Sequence, residues 1–159
     1  MNHVEAIGTI IFDPEDVSKK HGRQSSWKKV AMLMLKDDTA EYYAWFIRRR
    51  YNVVLNKPLR GPHITFINDR EKNMNGQWSA VREKWDGNLV SISLNVDVRT
   101  NSEFWCLNVL PNGTLKEIRM ELGLGDPFFP FHLTVGYPND KNEHHSRYIH
   151  DLLSRGMIG

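Results

Sequence analysis

Two imidazoles and two threonine hydroxyls recur in one pattern in this chain, at His63-Ile64-Thr65 within RGPHITFIND and at His132-Leu133-Thr134 within PFHLTVGYPND. Each tripeptide lies in a short run of β-branched and aromatic residues, the composition of a strand. Residues two apart on a strand share a face, so His63 and Thr65 point one way and Ile64 and Phe66 the other. The second run repeats this: His132 and Thr134 share a face, and Phe131, Leu133 and Val135 take the core side. If the two strands lie side by side, the four polar side chains converge on one cleft. Cleavage of a phosphodiester by a neighbouring hydroxyl needs a base for the nucleophile and an acid for the leaving oxygen, placed in line across phosphorus. Histidine, with an ordinary pKa of about 6.5, serves as either near neutral pH. Threonine hydroxyls can donate to the non-bridging oxygens, and an imidazolium supplies positive charge without a metal. The plainer alternative is that these are strand histidines bonded to backbone, with threonines chosen for β propensity. One His-x-Thr is unspecific; two copies with the same apolar flanks, 69 residues apart (132 − 63), are far less so.

RGPHITFIND and PFHLTVGYPND resemble the two signatures of the 2H phosphoesterase superfamily, which includes LigT-like RNA phosphoesterases and 2',3'-cyclic nucleotide phosphodiesterases. The resemblance runs from Trp27 to about Tyr137. It implies an α+β, bilobal fold in which two mainly antiparallel sheets line a central cleft, with helices packed outside. It also implies acid/base roles for His63 and His132, phosphate contacts from Thr65 and Thr134, and no cofactor or metal. Within the superfamily the chain is most similar to phage phosphodiesterases that degrade the cyclic di- and trinucleotide messengers of bacterial CBASS defence. The implied partner is a cyclic oligonucleotide or another RNA-type phosphodiester, with no obligate protein partner. Terminal 2',3'-cyclic phosphates, 2'-5' linkages in RNA processing, and sequestration of a nucleotide without cleavage are the competing readings.

Other residues are candidates for substrate contact. Arg60 could orient a phosphate as a bidentate donor, or be a solvated loop charge. Trp78, Trp85, Trp105 and Tyr137 are candidates for nucleobase stacking, with core or surface packing as the competing reading for each; of these, Trp105 and Tyr137 are assigned to the substrate. Glu143 is assigned to the substrate side of the cleft. Beside it, His144 and His145 suggest a metal cluster, but adjacent helical residues diverge and none is assigned. Asp13, Glu15 and Asp16 lack the spacing of a calcium loop.

The elements that must position these groups follow from periodicity and punctuation. A strand is expected at Gly8 to Phe12, followed by an irregular polar segment from Asp13 to Ser26. Trp27 to Leu35 reads as a buried strand, with a helix left open by periodicity alone. Asp37, Asp38 and Thr39 offer N-caps for a helix to about Arg50. Pro58 and Pro62 bracket a loop before the strand His63 to Ile67. A short helix is expected around Gln77 to Trp85. Residues 89 to 98 alternate as a half-buried strand, with Phe104 to Leu110 as its hairpin partner across Thr100 to Glu103. The turn Pro111 to Thr114 caps a helix through roughly Leu122, ended by Gly123 and Gly125. Phe131 to Tyr137 is the second motif strand, and Asn139 to Leu153 a terminal helix. Hairpins mixed with helices favour α+β over a doubly wound parallel sheet.

Composition bounds the rest. The 159 residues, 40% hydrophobic, suit a single domain spanning 1–159. A net charge of +2 argues against a protein that coats nucleic acid broadly. A single cysteine, Cys106, excludes an intrachain disulfide and a cysteine zinc cluster. With no secretory layout at the N-terminus and no run near 18 apolar residues, a soluble cytoplasmic protein without membrane contact is expected.

Overall fold

The computed structural model describes residues 2–14, 28–58, 60–101, 103–127 and 130–138. Its first sheet contains β1 (His3–Phe12), β2 (Ala31–Leu35), β3 (His63–Ile67) and β4 (Leu89–Asn95), in the order β3-β2-β1-β4. The second contains β5 (Arg99–Thr100), β6 (Trp105–Asn108) and β7 (His132–Gly136), in the order β5-β6-β7. Every pairing is antiparallel. Helices α1 (Thr39–Tyr51), α2 (Trp78–Trp85) and α3 (Gly113–Glu121) complete an α+β arrangement of two antiparallel sheets. Among the described residues no helix is long and apolar enough to cross a membrane.

The long strand β1 organises the first sheet. Its first half pairs with β4, His3 opposite Asn95 through Thr9 opposite Leu89, and its second half with β2, Gly8 opposite Leu35 through Phe12 opposite Ala31. The strand therefore begins at His3, five residues before the expected Gly8. β2 in turn starts at Ala31 rather than Trp27, because Lys28 and Lys29 turn the chain, Lys29 at φ 61°. Asp13 fixes that turn, accepting from the Lys29 amide at 2.7 Å, the Trp78 indole at 2.9 Å and Arg82 at 2.8 Å. The Asp13 carboxylate is thus occupied as a clasp, in keeping with its not being read as part of a calcium loop; Glu15 and Asp16 lie outside the described residues.

The expected hairpin of residues 89 to 98 with 104 to 110 is also corrected. β4 belongs to the first sheet beside β1, and the true hairpin joins β5 to β6, Arg99 opposite Cys106 and Thr100 opposite Trp105. The chain leaves β4 where the Asn95 side chain accepts from the Asp97 amide at 2.9 Å, a local turn that stops the ladder. The two sheets remain joined there by a Leu94–Val109 bridge and by the Leu110 amide donating to Ser93 O at 2.9 Å.

At the opposite side, β3 and β7 are edge strands of different sheets, and they lie in contact with one another. One core spans both sheets: Ile10, Leu33, Ile64 and Leu94 of the first share it with Trp105, Leu107 and Leu133 of the second, all 0% exposed. α1 packs on β7 and inserts Ile47, also 0% exposed. α3 contributes Leu115 and Ile118, and its N-cap Asn112 accepts from the Leu115 amide at 3.0 Å. The second motif strand is tied to the segment after α1 by reciprocal backbone bonds between Asn56 and Tyr137, 2.6 and 2.9 Å. Only glycine fits at 136, since a Cβ there would stand 2.7 Å from Leu55 Cβ and 2.8 Å from Asn56 O.

Candidate active site

Both motifs fall on strands, and both strands are edges that meet. Phe66 of β3 and Phe131, just before β7, contact edge to face with centroids 6.5 Å apart. Ile64 and Leu133 are fully buried in the shared core. Strand alternation then assigns His63 and Thr65, and His132 and Thr134, to the faces turned away from those core residues. Register gives each its flanking side chain: Met34 opposite His63, Met32 opposite Thr65, Asn108 opposite His132 and Cys106 opposite Thr134.

His63 is buried, at 6% exposure, and its Nδ1 lies 2.8 Å from Gly61 O. A carbonyl oxygen only accepts, so Nδ1 carries the hydrogen and the neutral ring has its lone pair on Nε2. The loop before β3 presents that carbonyl. Gly61 closes a turn by donating to Pro58 O at 3.0 Å, with φ +96°, a backbone conformation natural to glycine. Pro62 O accepts from Leu35 at 2.9 Å, fixing the loop to β2.

His132 is half-buried and stacks on Phe104, centroids 5.1 Å apart and planes 18° from parallel. The Phe104 backbone is held from three directions: its amide donates to Asn101 Oδ1 at 2.9 Å, and its carbonyl accepts from Thr100 Oγ1 at 2.9 Å and from the Asn101 amide at 3.2 Å. A tight turn thus fixes the aromatic plate under the histidine. Thr134 is 7% exposed. Beside it, burial pushes the Cys106 thiol up to about 11, opposed by the nearby Arg99 guanidinium.

Arg60 is half-buried in the loop leading to His63. Tyr137 follows β7 and meets Phe104 edge-on at 6.2 Å, which places it in the surroundings of His132 through that ring. Trp105 is a correction: it is 0% exposed, with its ring 5.1 Å from that of Tyr51, so it packs in the core and offers no face to a nucleobase. Trp78 is likewise buried, edge-on to Phe12 at 5.0 Å, and Trp85 is held at the α2–α3 contact with its indole 3.3 Å from Glu121. Glu143, His144 and His145, and the terminal helix that would carry them, lie outside the described residues. Among the described residues no group of three or more His, Cys, Asp or Glu side chains is arranged to hold a metal.

The sequence reading missed Phe104, Asn108 and Gly61. The alternation Trp105-Cys106-Leu107-Asn108 could have identified Asn108 as a neighbour of His132; the Phe104 stack depends on a turn geometry that no spacing encodes. Asn108 also opens onto a groove of about 1170 Å³ between α3 and residues 123–127, with Lys116 and Phe131 among its walls. Compared with known proteins, the chain matches no family model, no curated protein and no solved structure.

Proposed function

We propose that this protein is a metal-independent phosphodiesterase of the 2H type, with His63, Thr65, His132 and Thr134 facing one cleft across the β3 and β7 edges. The observation that carries the reading is that two His-x-Thr strands, 69 residues apart in sequence (132 − 63), adjoin in space with their apolar faces in a shared core. The proposed substrate is a cyclic di- or trinucleotide with 3'-5' linkages, in keeping with the resemblance to phage enzymes that counter CBASS immunity.

In this mechanism His63 is the base, because its Nδ1 bond to Gly61 O directs the lone pair to Nε2. Nε2 takes the proton of a ribose 2'-hydroxyl, whose oxygen bonds to the adjacent phosphorus. The P–O5' bond breaks as His132 gives its proton to the departing 5'-oxygen, leaving a 2',3'-cyclic phosphate. Attack of water, with the two histidines exchanging roles, opens that ring. Thr65 and Thr134 donate to the non-bridging oxygens, and Arg60 and Asn108 supply further donors. The aromatic Tyr137 is the described candidate for contact with a base, while the Phe104 ring is taken up by its stack on His132.

The test is incubation with cyclic dinucleotides and trinucleotides in EDTA, with products identified by mass. Wild type should cleave ribose-linked substrates and leave an all-deoxy cyclic dinucleotide intact. His63→Ala and His132→Ala should each lower kcat by about 10²–10⁴, the contribution of one general acid or base. Cleavage of the all-deoxy compound, or full activity in either variant, would refute the mechanism. Turnover of only nucleoside 2',3'-cyclic phosphates or 2'-5' linkages would keep the chemistry and replace the substrate.

A further inference from the structure

A second recognition surface lies on α1. On a helix, residues 42, 45 and 49 fall at i, i+3 and i+7 and share one face, here the one opposite the buried Tyr43 and Ile47. Tyr42 and Trp45 are 54% and 56% exposed, although aromatic side chains of that size normally bury most of their surface. Their rings sit 5.8 Å apart at 43°, forming an open aromatic step. Arg49 follows on the same face and Arg48 borders it, both exposed. Within the helix the one acidic residue, Glu41, is paired with Lys57 at 3.2 Å, and with the exposed N-cap Asp38 set against Arg48 and Arg49 the face keeps a net positive charge.

We propose that this face binds single-stranded RNA, with bases stacking on Tyr42 and Trp45 and phosphates meeting Arg48 and Arg49. Planar π-faces interleaved with guanidinium groups are the chemistry of sequence-tolerant strand binding. A membrane fits the surface less well. An interfacial helix needs a broad apolar face, and the apolar face of α1 is already spent on the core, leaving a stripe one side chain wide. The choice of RNA over DNA rests on the 2'-hydroxyl chemistry proposed for the cleft; the surface itself is independent of that reading.

The experiment measures fluorescence anisotropy of a labelled U12 RNA, with protein in a His63→Ala/His132→Ala background so that no strand is cut. Trp45→Ala should weaken binding about ten-fold, and Arg48→Glu/Arg49→Glu should weaken it further and flatten its salt dependence by about 1.4 in log–log slope. In otherwise native protein, Trp45→Ala should leave turnover of a cyclic dinucleotide unchanged. If the cleft reading fails, no protein turns over that substrate, yet the binding result still stands. Absence of U12 binding, or equal affinity across the variants, overturns the proposal. So does Trp45-dependent binding to vesicles of 30% phosphatidylserine in phosphatidylcholine when U12 is not bound.

Discussion

The two histidines begin as near-equivalents in sequence and acquire different surroundings from residues that carry no reactive group. Gly61 supplies a carbonyl that settles the His63 tautomer, and Phe104 supplies a flat ring beneath His132. An aromatic face attracts a cation, which suits the acid role proposed for His132. Phe104→Leu keeps apolar volume but removes that face, so kcat should fall about ten-fold with KM little changed, read by steady-state kinetics on a ribose-linked substrate. An equal loss in KM would mean that Phe104 contacts substrate rather than positioning His132. Cys106 makes a prediction about stability. Its thiol, ordinarily near 9.0, is raised to about 11 by burial, so the fold favours the protonated form. That contribution is intact below pH 9 and is lost as pH rises through 11. Urea midpoints taken from pH 8 to 11 should therefore fall more steeply for wild type than for Cys106→Ala, other ionisations being common to both. Parallel curves would sink the idea. His63, Thr65, His132 and Thr134 were legible as a pattern because strand alternation is local. Trp105 was misassigned because alternation does not reveal which side of a sheet another layer covers.

At the level of elements, the two motif strands are useful because each is an edge, and edges need something to hold them together. Arg119 of α3 does this. Its guanidinium is 4% exposed and donates to Phe66 O on β3 at 2.9 Å, to Gly125 O at 2.9 Å and to both oxygens of Glu71, while lying 5.9 Å from the Phe131 ring before β7. One side chain thus ties the end of β3 to the approach of β7. Arg119→Met leaves apolar bulk but strands the Glu71 carboxylate and the Phe66 carbonyl, a loss of about 3–5 kcal/mol on the scale of broken buried pairs. Chemical denaturation checks the magnitude. Arg119→Lys, which keeps charge without the fork, should fall between. A variant within 1 kcal/mol of wild type, on the order of an ordinary surface change, would show that the clamp is dispensable. Helix α3 was readable from its Asn112 cap and α1 from its period, although the N-cap of α1, Asp38, makes no side-chain cap bond; β3 and β7 were readable from their short apolar runs. The hairpin was not. Residues 89–98 alternate without a break, and only the Asn95–Asp97 turn, a contact of a side chain with backbone, diverts β5 into the other sheet.

For the molecule as a whole, the sheets differ in size but not in independence. β5, β6 and β7 carry Trp105, Leu107, Leu133 and Val135 in the shared core, and β6 and β7 lie against β3, β4 and α1. The chain also threads between the sheets: α1 is followed directly by β3 of the first sheet but packs on β7 of the second. Separating the sheets would expose both apolar faces at once, at roughly 25 cal/mol per Å² of apolar surface, with no second core to retain either half. Unfolding should therefore be a single cooperative transition. Two single-tryptophan reporters test this, one retaining Trp105 inside the second sheet and one retaining Trp78, which packs on Phe12 of the first. Their urea transitions should coincide with each other and with far-UV circular dichroism, and a peptide of residues 96–138 alone should stay unfolded. A Trp105 transition displaced from that of Trp78 would mean that the edges carrying the two histidines part before the fold is lost, and that the proposed cleft opens on its own.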